Sequence, residues 1–150
     1  MSYPVAHTAM ADRANAFQKS FNLQFNDIEL LNVALRAPGV VDREGNRGLA
    51  LIGDSALKLA LRIVGLERGL SRGDFSPTVD KICSNENLAQ RGTALRIDQF
   101  IWCNPAQKSV GPGLMATTMQ AIIGAYFKDQ GKDFAAVLRV LAVLGLDWTD

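Results

Sequence analysis

Apolar residues recur along this chain at three- and four-residue intervals from near one end to the other, and the two-residue alternation of a half-buried strand competes nowhere. Phe17, Phe21, Ile28, Leu31, Val33 and Leu35 form the first such set and predict two short helices. The second should run from Ile28 to about Arg36, with Asn26 or Asp27 placed to cap it. Pro38, Gly39 and Gly45, with charged residues between them, predict a connecting loop over 37–46. From Leu49 to about Glu67 the chain is apolar nearly all round. Asp54, Lys58 and Arg62 interrupt it four residues apart and so share one polar stripe, in which an Asp to Lys step also gives a small attraction. Gly65, Gly69 and Gly73 loosen the next segment, and Ser76 followed by Pro77 reads as a cap and first-turn pair opening a helix that reaches about Gly92. After a break before Phe100, two prolines and two glycines mark 104–113 as loop. Leu114 to about Asp129 and Phe134–Leu144 are two further helices. The fold class is all-α.

A chain of 150 residues fits one domain and can bury roughly two-thirds of the surface its unfolded form exposes. We divide it into a mobile N-terminal segment over 1–15, a helical domain over 16–146 and a tail over 147–150. No segment approaches the about 18 uninterrupted apolar residues of a membrane span, and Met1 to Met10 carry neither a basic and apolar leader nor an Arg-rich amphipathic pattern. An intracellular protein with no membrane partner is expected, cytoplasmic or nuclear, with an organelle also open. Cys83 and Cys103 lack the paired spacing of a zinc site and are expected to be reduced. Lys and Arg exceed Asp and Glu by one charge, a weak electrostatic footprint for a domain that binds nucleic acid tightly by itself. His7 is the only histidine, so acid and base chemistry by a pair of imidazoles has no residues here.

The stretch Asn46-Arg47-Gly48-Leu49-Ala50-Leu51-Ile52-Gly53-Asp54 resembles the signature helix of the ribonuclease III family, Asn-Glu-Arg-Leu-Glu-Phe-Leu-Gly-Asp, keeping five of nine positions when Ile52 is allowed for Leu. Met115-Ala116-Thr117-Thr118-Met119-Gln120-Ala121-Ile122-Ile123-Gly124-Ala125 is similar to the later helix of that family, Leu-Ala-Asp-x-x-Glu-Ala-Leu-Ile-Gly-Ala. Phe25-Asn26 with Leu30-Leu31 and Ala34-Leu35, and Gly73-Asp74-Phe75-Ser76 leading to Asn87-Leu88-Ala89, continue the likeness in the family's order. The resemblance spans about Phe17 to Leu144. It implies a helical bundle that pairs with a second copy of itself, with RNA as the partner molecule and Leu51 and Ile52 in the dimer contact. Leu51 stands where the family usually has an aromatic knob.

The same resemblance implies a centre of four carboxylates from two helices, and here the departures matter. Ala50 stands at the first Glu position, Thr117 at the later Asp and Gln120 at the later Glu; Asp54 alone is acidic. Arg47 and Gly48 replace an acid and a base, and Arg72 stands where an accessory acid often lies. Phosphodiester hydrolysis of this type uses magnesium ions, which prefer hard, charged oxygen ligands in a near-octahedral shell. Neutral oxygens of Thr117 and Gln120 contribute no charge and the Ala50 methyl contributes nothing, so Mg2+ should be held weakly by Asp54 or not at all. Three readings stay open. One is a homodimer that binds and helps to process RNA, its cleft bordered by some of Arg36, Arg43, Arg47, Lys58, Arg62 and Arg72, which act on phosphates. The second is an atypical endoribonuclease, for single-stranded RNA, in which Asp54 is helped by Asp74 or Asp80. The third is an architectural module that assembles with an active paralogue or within an RNA-protein particle.

Overall fold

The computed structural model describes the backbone of residues 2–104, 106 and 109–148, and the side chains of residues 12–104, 106 and 109–148. Seven α-helices and one short 3-10 helix make up its regular structure among these residues. Helix α1 (Ser2–Phe21) stands where the first of the two short helices was expected and is 20 residues long. Helix α2 (Ile28–Ala34) starts at Asp27, whose carboxylate accepts the backbone N–H of Glu29. It stops two residues before the expected Arg36. Backbone bonds from Trp102 to Leu35 and from Ala37 to Trp102, at 2.7 and 2.9 Å, pull the chain straight there and form an isolated bridge.

Helix α3 (Arg47–Glu67) follows the expected span closely. The next expectation fails in an instructive way. Ser76 and Pro77 open no helix; they lie inside α4 (Arg72–Cys83), which Ser71 caps by accepting the N–H of Asp74. Pro77 is tolerated because the carbonyl it leaves unpaired, that of Gly73, belongs to an exposed first turn where water can take it. The single helix expected to reach Gly92 is broken at Ser84, whose extended backbone ends α4 and whose hydroxyl caps α5 (Asn85–Ala94) by accepting the N–H of Asn87. The 3-10 turn Ile97–Phe100 then leads to α6 (Pro112–Asp129) and α7 (Phe134–Leu144). Pro112 at the first helical position of α6 follows the usual placement of proline, and Gly145 ends α7 at φ 71°.

Helix α6 is buried nearly all round, from Met115 to Tyr126, and α2, α3, α5 and α7 pack about it. Its most extensive partner is α3. They approach closely because both lack side chains at the crossing: a Cβ on Gly53 would overlap the Gln120 carbonyl oxygen, and one on Gly124 would overlap that of Leu49. Phe17, Phe21 and Phe100 cluster at the α1 end of the core with centroids 4.7 to 6.0 Å apart, Phe100 meeting both others edge-on. At the other end of α6, Asp129 accepts the backbone N–H groups of Asn26 and Asp27 at 2.8 and 2.7 Å, which ties the start of α2 to the bundle. No helix of the described residues is long and apolar enough to cross a membrane.

Candidate functional site

The glycine-paired crossing of α3 and α6 fixes the geometry of what lies beside it. On one side it opens into a cleft of about 540 Å³ lined by Arg47, Ala50 and Asp54 of α3, Thr117 and Gln120 of α6, Asn85 of α5 and Glu44 of the preceding loop. The helical period explains the grouping, since Ala50 and Asp54 are four apart and Thr117 and Gln120 three apart, so each pair shares a face. The four positions singled out in the sequence are thus brought together. Past Asp54 the cleft continues into a more polar recess of about 370 Å³, where Lys58, Asp80, Cys83 and Ser84 join the lining.

Asp54 is engaged at both oxygens by donors of its own chain. Lys58 Nζ lies 3.0 Å from Oδ2, and Gln120 Nε2 donates to Oδ1 at 3.4 Å. The pair is half-buried, with 40% of the lysine and 31% of the aspartate side chain exposed. The Thr117 hydroxyl turns away from Asp54 and donates to the Gly113 carbonyl at 3.0 Å. Beneath them Asn46 is fully buried, and its amide donates to the Ala34 carbonyl at 2.9 Å and to Thr118 Oγ1 at 3.0 Å. One side chain therefore joins the start of α3 to α2 and α6. The sequence marked Asn46 only as a motif match, and no local pattern reveals that its partners lie on two other helices. Burial pushes the Cys83 thiol up to about 11, Asp54 and Asp80 adding to this and Lys58 and Arg62 opposing it, so the sulfur stays protonated near neutrality.

The basic residues named from the sequence are dispersed. Arg47 lines the cleft and Lys58 its recess. Arg62 is exposed one turn beyond Lys58, close enough for its charge to act on Cys83. Arg36 instead lies 3.9 Å from Asp42, with only 13% of its side chain exposed, and Arg43 and Arg72 are exposed and not among the residues that line the cleft. Of the two auxiliary acids, Asp80 lines the recess, whereas Asp74 accepts the Ser71 hydroxyl at 2.8 Å and belongs to the cap of α4. His7 falls on α1, its side chain outside the described residues.

A divalent cation site needs converging charged oxygens, and the cleft does not offer them. One carboxylate, a neutral amide whose nitrogen faces that carboxylate, an uncharged hydroxyl and a methyl group supply too little negative charge for a pair of magnesium ions. Among the described residues, no three His, Cys, Asp or Glu side chains are grouped so as to hold a metal ion.

Next to the cleft along α3, with Leu51 lining both, lies a groove of a different kind. Leu51, Ile52, Ala56 and Leu59 of α3, with Phe127, Phe134 and Val137 of α6 and α7, wall an apolar space of about 440 Å³. Leu51 is 74% exposed and Leu59 55% exposed, so the wall stands open.

Comparison with known proteins agrees with this architecture. A family model described as the ribonuclease III domain matches residues 47–131. Ribonuclease 3 of Coxiella burnetii (strain Dugway 5J108-111) is 30% identical over 125 residues, which cover 78% of this chain and 52% of that protein. Ribonuclease 3 of Cupriavidus necator is 27% identical over 143 residues, 91% of this chain and 56% of that protein. The chain thus spans about half the length of the curated relatives it matches. Two structures of the nuclease domain of ribonuclease III from Campylobacter jejuni superpose with a TM-score of 0.76. At 23% and 22% identity, they cover 85% and 93% of this chain and 92% and 97% of those chains, and they establish the fold. The first of them is described as showing structural flexibility in a region involved in dimer formation.

Proposed function

The chain belongs to the ribonuclease III family, and from that premise we propose that it is a homodimeric domain of RNA processing that engages RNA without cleaving the double strand by two-magnesium chemistry. The observation that carries this reading is the state of Asp54. It is the one acidic side chain among the four positions Ala50, Asp54, Thr117 and Gln120, and Lys58 and Gln120 occupy both its oxygens. Activating a water and neutralising charge on a phosphate both need charge-bearing ligands around the metal, and removing such stabilisation commonly costs several kcal/mol of barrier. RNA would be met through Arg47 and Lys58 by phosphate contact, which confers little sequence preference. The open apolar groove beside Leu51 and Ile52 supports pairing with a second copy through a self-complementary face.

A second reading, an atypical endoribonuclease acting on single-stranded RNA, is favoured by one observation: Asp80 and Asp54 line the same recess, so two carboxylates lie within one polar space. Magnesium makes do with few protein carboxylates when substrate phosphates add ligands. Incubating labelled single- and double-stranded RNA with and without magnesium, for the parent and Asp54→Ala, separates the two. Retarded RNA without products is the expected result. Metal-dependent products that vanish in Asp54→Ala would overturn the non-cleaving reading in favour of the enzyme, and a monomeric mass across micromolar concentrations would overturn the dimer.

A further inference from the structure

The mismatch between this cleft and a divalent ion leaves a question of charge: what neutralises Asp54? We propose that Lys58 is the resident cation of the cleft, a tethered ammonium that holds the carboxylate in place of a metal ion. The inference rests on the functional reading above only where it concerns RNA.

Three features of the geometry support it. The ammonium lies 3.0 Å from Oδ2, a charged hydrogen bond within one face of α3 that needs no movement of the backbone. Gln120 takes the other oxygen through its nitrogen, so the amide presents a donor where a metal ligand would present an acceptor. The Thr117 hydroxyl donates to the Gly113 carbonyl rather than to Asp54, which leaves the carboxylate to these two donors. The side chains around Asp54 are therefore arranged to serve an anion, and that anion is Asp54 itself. A divalent ion at this carboxylate would have to displace the ammonium and then sit beside its positive charge, with no second carboxylate on α6 to compensate. Magnesium, which gives up its water reluctantly, is the ion least suited to that exchange. Lys58 remains 40% exposed, so its free donors can also reach a phosphate oxygen of a bound strand, making contact with RNA independent of metal.

The test compares the parent with Lys58→Met and Lys58→Arg by two-dimensional amide spectra during titration with MnCl2, whose unpaired electrons broaden nearby signals. Exposed carboxylates away from the cleft, Glu29 and Asp133, serve as the internal scale. In the parent and in Lys58→Arg, broadening around Asp54 and Gln120 is expected to fall below that scale. In Lys58→Met it should rise severalfold and match or exceed it. Equal broadening around Asp54 in the parent and in Lys58→Met would overturn the proposal. A second arm measures retention of a short synthetic RNA, single-stranded or duplex, in EDTA or in magnesium at matched ionic strength. Affinity should be the same in both for the parent, and Lys58→Met should bind more weakly, its salt dependence smaller by about one counterion. Equal binding by both proteins would refute the phosphate contact and leave the RNA-processing reading standing. No binding by either would sink that reading, while the manganese pattern would still judge the lysine.

Discussion

Truncating Leu51 to alanine separates the stability of the fold from that of the proposed dimer. The side chain is 74% exposed and contributes little to the core of one copy, and alanine is at least as good a helix former, so α3 should be unharmed. In a two-fold dimer the loss counts twice, because each copy presents its Leu51 to the other. The substitution removes three carbon groups, each worth about 0.8 kcal/mol when fully covered, and about three-quarters of that surface is available to be covered, which gives ~1.8 kcal/mol per copy. Doubled, ~3.5 kcal/mol corresponds to a roughly 300-fold weaker dimer. Sedimentation velocity over a concentration series measures the dissociation constant, and circular dichroism checks that helical content is retained. A constant within about threefold of the parent's would show that Leu51 is not buried between copies and would refute the interface.

The glycine crossing is predicted to be intolerant of the smallest addition. Gly53→Ala forces α3 and α6 apart and should cost at least ~3 kcal/mol, lowering the melting temperature by about 10 °C, while Gly48→Ala, where a Cβ meets nothing and helix propensity improves, should raise it by about 1–3 °C. Restoring carboxylates at all three altered positions, Ala50→Glu with Thr117→Asp and Gln120→Glu, should create manganese- or magnesium-dependent stabilisation of about 5–10 °C at a hundredfold excess over the dissociation constant. No shift beyond that of matched salt would show that these side chains do not converge on an ion. For Cys83 the sign follows from its raised thiol value: the folded state holds the proton more tightly, so this stability is complete below 9.0 and is lost as pH rises toward about 11. Cys83→Ala should therefore show a shallower alkaline decline in melting temperature, and a decline parallel to the parent's would refute the assignment.

Legibility in the sequence varied with the range of the interactions involved. Helix α3 and helix α7 were readable because their apolar spacing is long and uninterrupted, and Asp27 was readable as a cap because capping is local. The start of α4 was not, since Ser76 and Pro77 point to a later opening than the Ser71 cap, beyond which Phe75 packs against Gly65 of α3. The α4–α5 boundary was missed as well, because the apolar spacing runs on through Ser84, which caps α5 by accepting the N–H of Asn87. At the site, the family resemblance implied that Ala50, Asp54, Thr117 and Gln120 meet in one cleft, whereas the bond from Gln120 to Asp54 and the withdrawal of Arg36 to Asp42 depend on rotamers and loops that no local pattern encodes.

The motif positions this chain shares with the ribonuclease III signature divide by physical task. Asn46, Leu49, Gly53, Ala116 and Gly124 are buried at the joint of α2, α3 and α6, and changing any of them strands a polar group, empties a packed space or separates two helices. Thr117 and Gln120 project into an open cleft, so alternatives there need not disturb the core, whereas Ala50 is at once the floor of the cleft and a buried core residue. The fold can therefore outlast the carboxylate centre, since packing does not depend on the charges the cleft displays. Asp54 alone belongs to both groups, a motif residue that projects into the cleft. Alone it would be a charge with reduced access to water; with Lys58 one turn along the same helix it becomes part of a local pair worth a few tenths of a kcal/mol. That is too little to account for the fold, and what disfavours a second cation is less this attraction than the positive charge already 3.0 Å from the carboxylate.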